Sequence, residues 1–149
     1  MAHNRSVPVD TVIPHITYEN VAAALAWLAD TLGFVEHFRY GESSNGDGTI
    51  AGAQVHLGRA YVMLTSVRAG RTSPRIAGVN TQFVTIIVDD VRAHYARAQS
   101  AGASLFEDLH ETEYGELQYG VTDIEGHHWI FSQHVRDISP DEWGARLRT

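Results

Sequence analysis

The chain contains no cysteine in 149 residues, which excludes disulfides, thiolate metal ligands and cysteine nucleophiles together. It has no apolar run approaching the roughly 20 residues that span a bilayer, and residues 1–10 show no basic stretch leading into an apolar one. A cytoplasmic protein with no membrane partner is the expectation. Basic side chains are scarce, 11 against 18 acidic ones for a net charge of −7. Such a surface repels a phosphate backbone, so nucleic acid is not an expected partner. The remaining composition, 44% hydrophobic and 19% charged, is that of a globular chain, long enough for one domain or two small modules with a substantial core.

The same grammar is written twice. Val12 to Tyr18 reads as a strand, Asn20 as a helix cap, Val21 to Leu32 as a helix by its apolar spacing, and Gly33 as the residue that closes it. Further on, Gln82 to Val88 is a strand rich in β-branched residues, Asp90 the cap, Val91 to Ala101 the helix and Gly102 its end. The caps lie 70 positions apart and the glycines 69, a repeat at fixed spacing. Each helix is followed by three strand-like pieces: Val35 to Tyr40, Thr49 to Leu57 and Ala60 to Thr65, then Ser104 to Asp108, Leu117 to Asp123 and His127 to Gln133. The pattern predicts an α+β fold of two tandem βαβββ modules, 10–66 and 82–136. A polar connector, 67–81, carries Arg68, Arg71 and Arg75, which read as solvated, and 137–149 reads as a short terminal helix and tail.

These residues resemble a known family. Tyr18-Glu19-Asn20-Val21 opening a helix that ends Leu32-Gly33-Phe34 is similar to the first module of vicinal-oxygen-chelate proteins, the glyoxalase, bleomycin-resistance and dioxygenase superfamily. The second module is closer: Thr81 to Val91, Ala101-Gly102-Ala103, Tyr114-Gly115 and Asp123-Ile124-Glu125-Gly126-His127-His128-Trp129-Ile130-Phe131 resemble its PhnB-like branch. The resemblance covers roughly Val12 to His134. It implies a curved, mostly antiparallel sheet around a cleft, usually within a homodimer.

Enzymes of the superfamily hold a divalent metal through one side chain from the first and one from the last strand of each module, typically His and Glu. Counting back from the helix caps places the first-strand positions at Ile13 and Phe83. Counting forward from the turn glycine Gly126 gives Ile130, with Met63 as its counterpart in the first module. A thioether and three hydrocarbon side chains offer nothing suited to Zn²⁺, Ni²⁺ or Fe²⁺, so no metal and no other cofactor is expected. Residues two apart on a strand share a face. His15 and Thr17 therefore accompany Ile13, His128 and Ser132 accompany Ile130, Thr85 and Ile87 accompany Phe83, and Tyr61 and Thr65 accompany Met63. The result is an apolar floor edged by hydroxyls and imidazoles, a lining suited to a small organic ligand. The candidate ligand-binding set is Ile13, His15, Thr17, His56, Tyr61, Met63, Phe83, Thr85, His128 and Ile130.

Nine histidines call for separate readings. His127 and His128 point to opposite faces of one strand and cannot share an ion; His127 reads as structural, bound to the turn backbone. His15 and His128 are either ligand contacts or half-buried imidazoles, and they are the only candidates for a catalytic role. A displaced metal site from His15, His56 and His128 lacks a further donor. His94 and His37 read as solvated. His110-Glu111-Thr112-Glu113 lacks the HExxH spacing of a zinc helix. Tyr114-Gly115 reads as a turn or a flap, and Leu117 stands where relatives often carry an anion-binding Arg. Trp27, Trp129 and Trp143 read as packing residues. Three functions stay open: a metal-free binding protein for an aromatic or antibiotic-like molecule, a metal-free enzyme with a histidine general acid or base, and a divalent-metal lyase or dioxygenase.

Overall fold

A computed structural model describes residues 7–148. It divides into two compact units, one reaching Val79 and including Ile124–Gly126, the other comprising Asn80–Asp123 and the chain from His127 onward. The architecture is α+β, with one four-stranded sheet in each unit.

In the first unit, β1 (His15–Tyr18) leads into α1 (Val21–Leu32), followed by β2 (Val35–Tyr40), β3 (Gly52–Leu57) and β4 (Ala60–Ser66). The helix starts where the Asn20 carboxamide oxygen accepts from the Ala23 N–H at 3.0 Å. It stops at Gly33, whose φ of 77° lets its N–H return to the Ala29 carbonyl, a left-handed closure open to glycine at little cost. Val21, Ala24, Leu25, Leu28, Thr31 and Leu32 form the buried stripe, the spacing of one helical face. They pack with Ile16, Ala53, Val55, Val62 and Leu64, all buried. The sheet order is β1-β4-β3-β2, with β1 parallel to β4 and the other pairings antiparallel.

The second unit repeats the plan with β5 (Phe83–Ile87), α3 (Val91–Ser100), β6 (Ser104–Glu111), β7 (Glu116–Thr122) and β8 (His128–His134) in the order β5-β8-β7-β6. β5 is parallel to β8. Asp90 caps α3 by accepting from Ala93 N–H at 3.0 Å, and the Gln133 side chain on β8 accepts from Val91 N–H at 3.0 Å. Trp129, Phe131, Tyr119, Val121 and Ile86 form the core beneath α3.

Two segments differ from the sequence reading, the connector and the chain end. The connector 67–81 holds a short helix, α2 (Pro74–Ala77), and Arg75 is engaged: its Nε donates to Glu19 at 2.7 Å and its backbone N–H to the Glu125 carbonyl at 3.0 Å. The expected terminal helix shrinks to a 3-10 turn, Pro140–Trp143, closed by Gly144 at φ 86°. Trp143 is 39% exposed and lies against Tyr114 rather than in the core. Among the described residues no helix is long and apolar enough to cross a membrane.

Candidate functional site

Each sheet has one face under its helix and one free of it, and the strand registers place the candidate residues on the helix-free faces. In the first unit His15 pairs with Met63 and Thr17 with Thr65 across β1 and β4. Gln54 pairs with Met63, and His56 with Tyr61, across β3 and β4. The Thr17 and Thr65 hydroxyls share a 3.4 Å hydrogen bond. The ring of His56 stacks on Tyr61 with centroids 5.3 Å apart, and its Nδ1 donates to the Gly58 carbonyl at 3.1 Å. Ile13 lies ahead of β1, which begins at His15.

Two contributors to this face escaped the sequence reading. Gln54 is only 2% exposed. His37 is exposed, as its solvated reading has it, and it is the extra residue of a bulge between Glu36 and Phe38. A bulge adds one residue to a strand and re-aims its side chain. The His37 Nδ1 lies 2.6 Å from the Gln54 amide oxygen, and the Gln54 amide nitrogen lies 3.5 Å from the Met63 sulfur. His37 also meets the rings of Tyr61 and His56 edge-on, at centroid distances of 5.8 and 6.2 Å. Nothing in the spacing of β2 announces the bulge, although Gln54 between Ala53 and Val55 was a visible signal.

The second unit builds the equivalent face from different chemistry. Phe83 pairs with His128 and Thr85 with Ile130, while Gly120 pairs with Ile130 and Thr122 with His128. Ile130 thus occupies the register of Met63, and Gly120 that of Gln54. A bulge again follows the helix, between Leu105 and Glu107. It carries Phe106, whose ring stacks on His128 at 4.2 Å and covers Gly120 so closely that a Cβ there would come within 2.4 Å of the ring. Phe83 and Ile87 on β5 are 61% and 67% exposed. Toward the other end of the face, Gln118 donates to Glu107 at 2.8 Å and Ser132 to Glu116 at 3.1 Å.

His134 lies between two carboxylates, each ring nitrogen 2.7 Å from an oxygen of Glu116 or Asp137. Asp137 foremost, then Glu116, raises its pKa above the ordinary 6.5. His94, read as solvated, instead packs its ring on Phe131 at 4.1 Å and bonds the Tyr119 hydroxyl. It follows Val91 by three residues and precedes Ala98 by four, so the helical stripe was a usable signal. Burial pushes the Tyr119 phenol above its usual value. The His127 N–H donates to Asp123 at 3.0 Å and its carbonyl accepts from the Asp123 N–H at 2.8 Å, closing the turn through the backbone. Tyr114-Gly115 is a hairpin turn, with the Gly115 N–H donating to the Thr112 carbonyl at 3.2 Å.

The donor chemistry does not fit a divalent metal at the superfamily's positions. Met63 and Ile130 sit at equivalent registers of β4 and β8, Phe83 lies on β5, and Ile13 precedes β1; none is an imidazole or carboxylate. Among the described residues no three His, Asp or Glu side chains are grouped so as to hold an ion.

Paired βαβββ units, each with its first and last strands parallel, define an α+β protein of the tandem-module class. The sequence profile of the Glyoxalase/Bleomycin resistance protein/Dioxygenase superfamily matches residues 10–131, and the chain belongs to that superfamily. It is similar to TioX from Micromonospora sp. ML1, at 28% identity and a TM-score of 0.65, over 85% of this chain and 99% of that one. An uncharacterised protein of Mycobacterium bovis is 28% identical over 139 residues, 90% of either chain. A glyoxalase/bleomycin resistance protein/dioxygenase family enzyme from Burkholderia phytofirmans PsJN shares the fold, with a TM-score of 0.59 at 17% identity, over 83% of this chain and 97% of that one.

Proposed function

We propose that the chain binds a small organic molecule, aromatic or antibiotic-like, against the helix-free faces of its sheets, and does so without a metal ion. The observation that carries this reading is the hydrocarbon and thioether character of Ile13, Met63, Phe83 and Ile130, where the superfamily's enzymes place metal ligands. Ligand contacts are assigned to His15, Thr17, His56, Tyr61, Met63, Phe83, Thr85, His128 and Ile130, whose mixture of apolar surface with a few hydroxyls and imidazoles suits such a molecule. The reading carries with it a cytoplasmic homodimer, and light scattering of the purified protein checks the dimer.

The test is elemental analysis together with thermal denaturation. Purified protein should hold far less than one equivalent of Zn, Ni, Fe or Mn. Adding these ions should leave the melting temperature unchanged, because a specific site would stabilise the folded state by mass action, about 2.7 kcal/mol at a hundredfold excess over Kd. One tightly held equivalent would overturn the metal-free reading.

A further inference from the structure

The two helix-free faces share one framework but differ at its centre. At the register where the second unit places Phe106 over Gly120, with Ile130 paired beside it, the first unit places His37, Gln54 and Met63. The chemistry of this trio fixes where its protons lie. A thioether sulfur has no hydrogen to donate, so the Gln54 amide nitrogen is the group that faces Met63, and the amide oxygen therefore faces His37. An amide oxygen only accepts. The neutral His37 ring must then carry its hydrogen on Nδ1 and leave the Nε2 lone pair bare. His56 is fixed in the same sense, because its Nδ1 meets the Gly58 carbonyl, another pure acceptor.

We infer that His37, held in one tautomer by Gln54, presents Nε2 as a hydrogen-bond acceptor to the bound molecule, and that the molecule is a planar aromatic carrying an O–H or N–H donor, such as a phenol. The inference rests on the small-molecule reading above and narrows it. The neighbouring rings of His56 and Tyr61 supply surface for an aromatic body. The side chains of this face, His15, Thr17, Gln54, Met63 and Thr65 among them, carry no fixed positive charge, which disfavours a phosphorylated or carboxylated ligand. His37 is exposed, so in the free protein this acceptor is open to solvent, and the matching donor adds to the affinity only the net worth of one exchanged hydrogen bond, up to about tenfold.

Two measurements decide it. Calorimetric titration compares 2-naphthol with 2-methoxynaphthalene, which differ by the one donor hydrogen. Wild-type protein should bind the naphthol roughly tenfold more tightly, and His37→Phe should abolish that preference while retaining affinity for the methyl ether. Long-range ¹H–¹⁵N correlation spectra of the unliganded protein should show His37 as the Nδ1–H tautomer, and Gln54→Leu should release it to a mixture. If neither compound binds, the small-molecule reading and this inference fall together. If both bind without preference, if His37→Phe keeps the tenfold ratio, or if wild-type His37 carries its proton on Nε2, only this inference falls.

Discussion

The carboxylate of Asp123 serves two donors at once. One oxygen accepts the indole N–H of fully buried Trp129 at 3.0 Å, and the other accepts the backbone N–H of His127 at 3.0 Å. Removing it takes away both bonds. Asp123→Ala should therefore cost about 2 to 4 kcal/mol, the loss of two hydrogen bonds to a charged acceptor, read from the midpoint of urea unfolding. Asp123→Asn, which keeps one acceptor, should cost less. Single side chains were unevenly legible in the sequence. Trp129 as a packing residue follows from its strand, and the apolar identity of Met63 and Ile130 follows from counting along the chain. His94 was misread because histidine is polar by composition, whereas its helical spacing puts it on the inner stripe with Val91 and Ala98. The partnership of His37 with Gln54 depends on a bulge, and a bulge is an irregularity of pairing that no periodicity encodes.

Regular elements were read more accurately than their ends. The span of α1 and the caps Asn20 and Asp90 follow from side chains that satisfy the first free N–H groups of a helix. Strand β6 runs on to Glu111, beyond the expected Asp108, because pairing with β7 persists through two register irregularities. Chain beyond β8 was over-read as a helix; it is instead tied down near its start. The Val135 and Arg136 N–H groups donate to the Gly115 carbonyl at 2.9 and 3.1 Å, and His134 joins Glu116 of β7 to Asp137. With a carboxylate at each ring nitrogen, this contact is complete only for the imidazolium, which has two N–H donors. The folded-state pKa is raised, so the stability it contributes is fully present below the ordinary histidine value and is lost as pH rises through the folded value. The ring is half-exposed and Asp137 wholly so, which keeps the effect small and sensitive to salt. The difference in melting temperature between wild type and His134→Gln should shrink as pH rises from roughly 6 to 8.5, and an NMR titration should place His134 above 6.5, the ordinary value. A difference independent of pH would contradict the contact.

At the scale of the molecule, duplication was the strongest signal in the sequence, and it predicted two sheets of one plan. It did not predict that the first unit is completed by three residues from far along the chain. Ile124–Gly126 belong with that unit. Glu125, 1% exposed, accepts the Glu19 and Asn20 N–H groups at 2.6 and 3.0 Å, beside the start of α1, where the helix dipole favours an anion. A turn written Asp-Ile-Glu-Gly gives no hint that its carboxylate is buried. Glu125→Gln, with one acceptor oxygen in place of two, should lower stability by about 1 to 3 kcal/mol, measured by chemical denaturation. Arg75→Ala should cost less, because that guanidinium is 55% exposed where it pairs with Glu19 at 2.7 Å.

The same distant carboxylate sets an order of events during synthesis. When residue 79 leaves the ribosome, the first sheet and its helix have emerged without the acceptor for the two amides that join β1 to α1, and it arrives only after residues 80–126 have been added. At about 5 to 20 residues per second that wait lasts roughly 2 to 9 seconds, during which the leading half of the chain is an unfinished body exposed to chaperones and proteases.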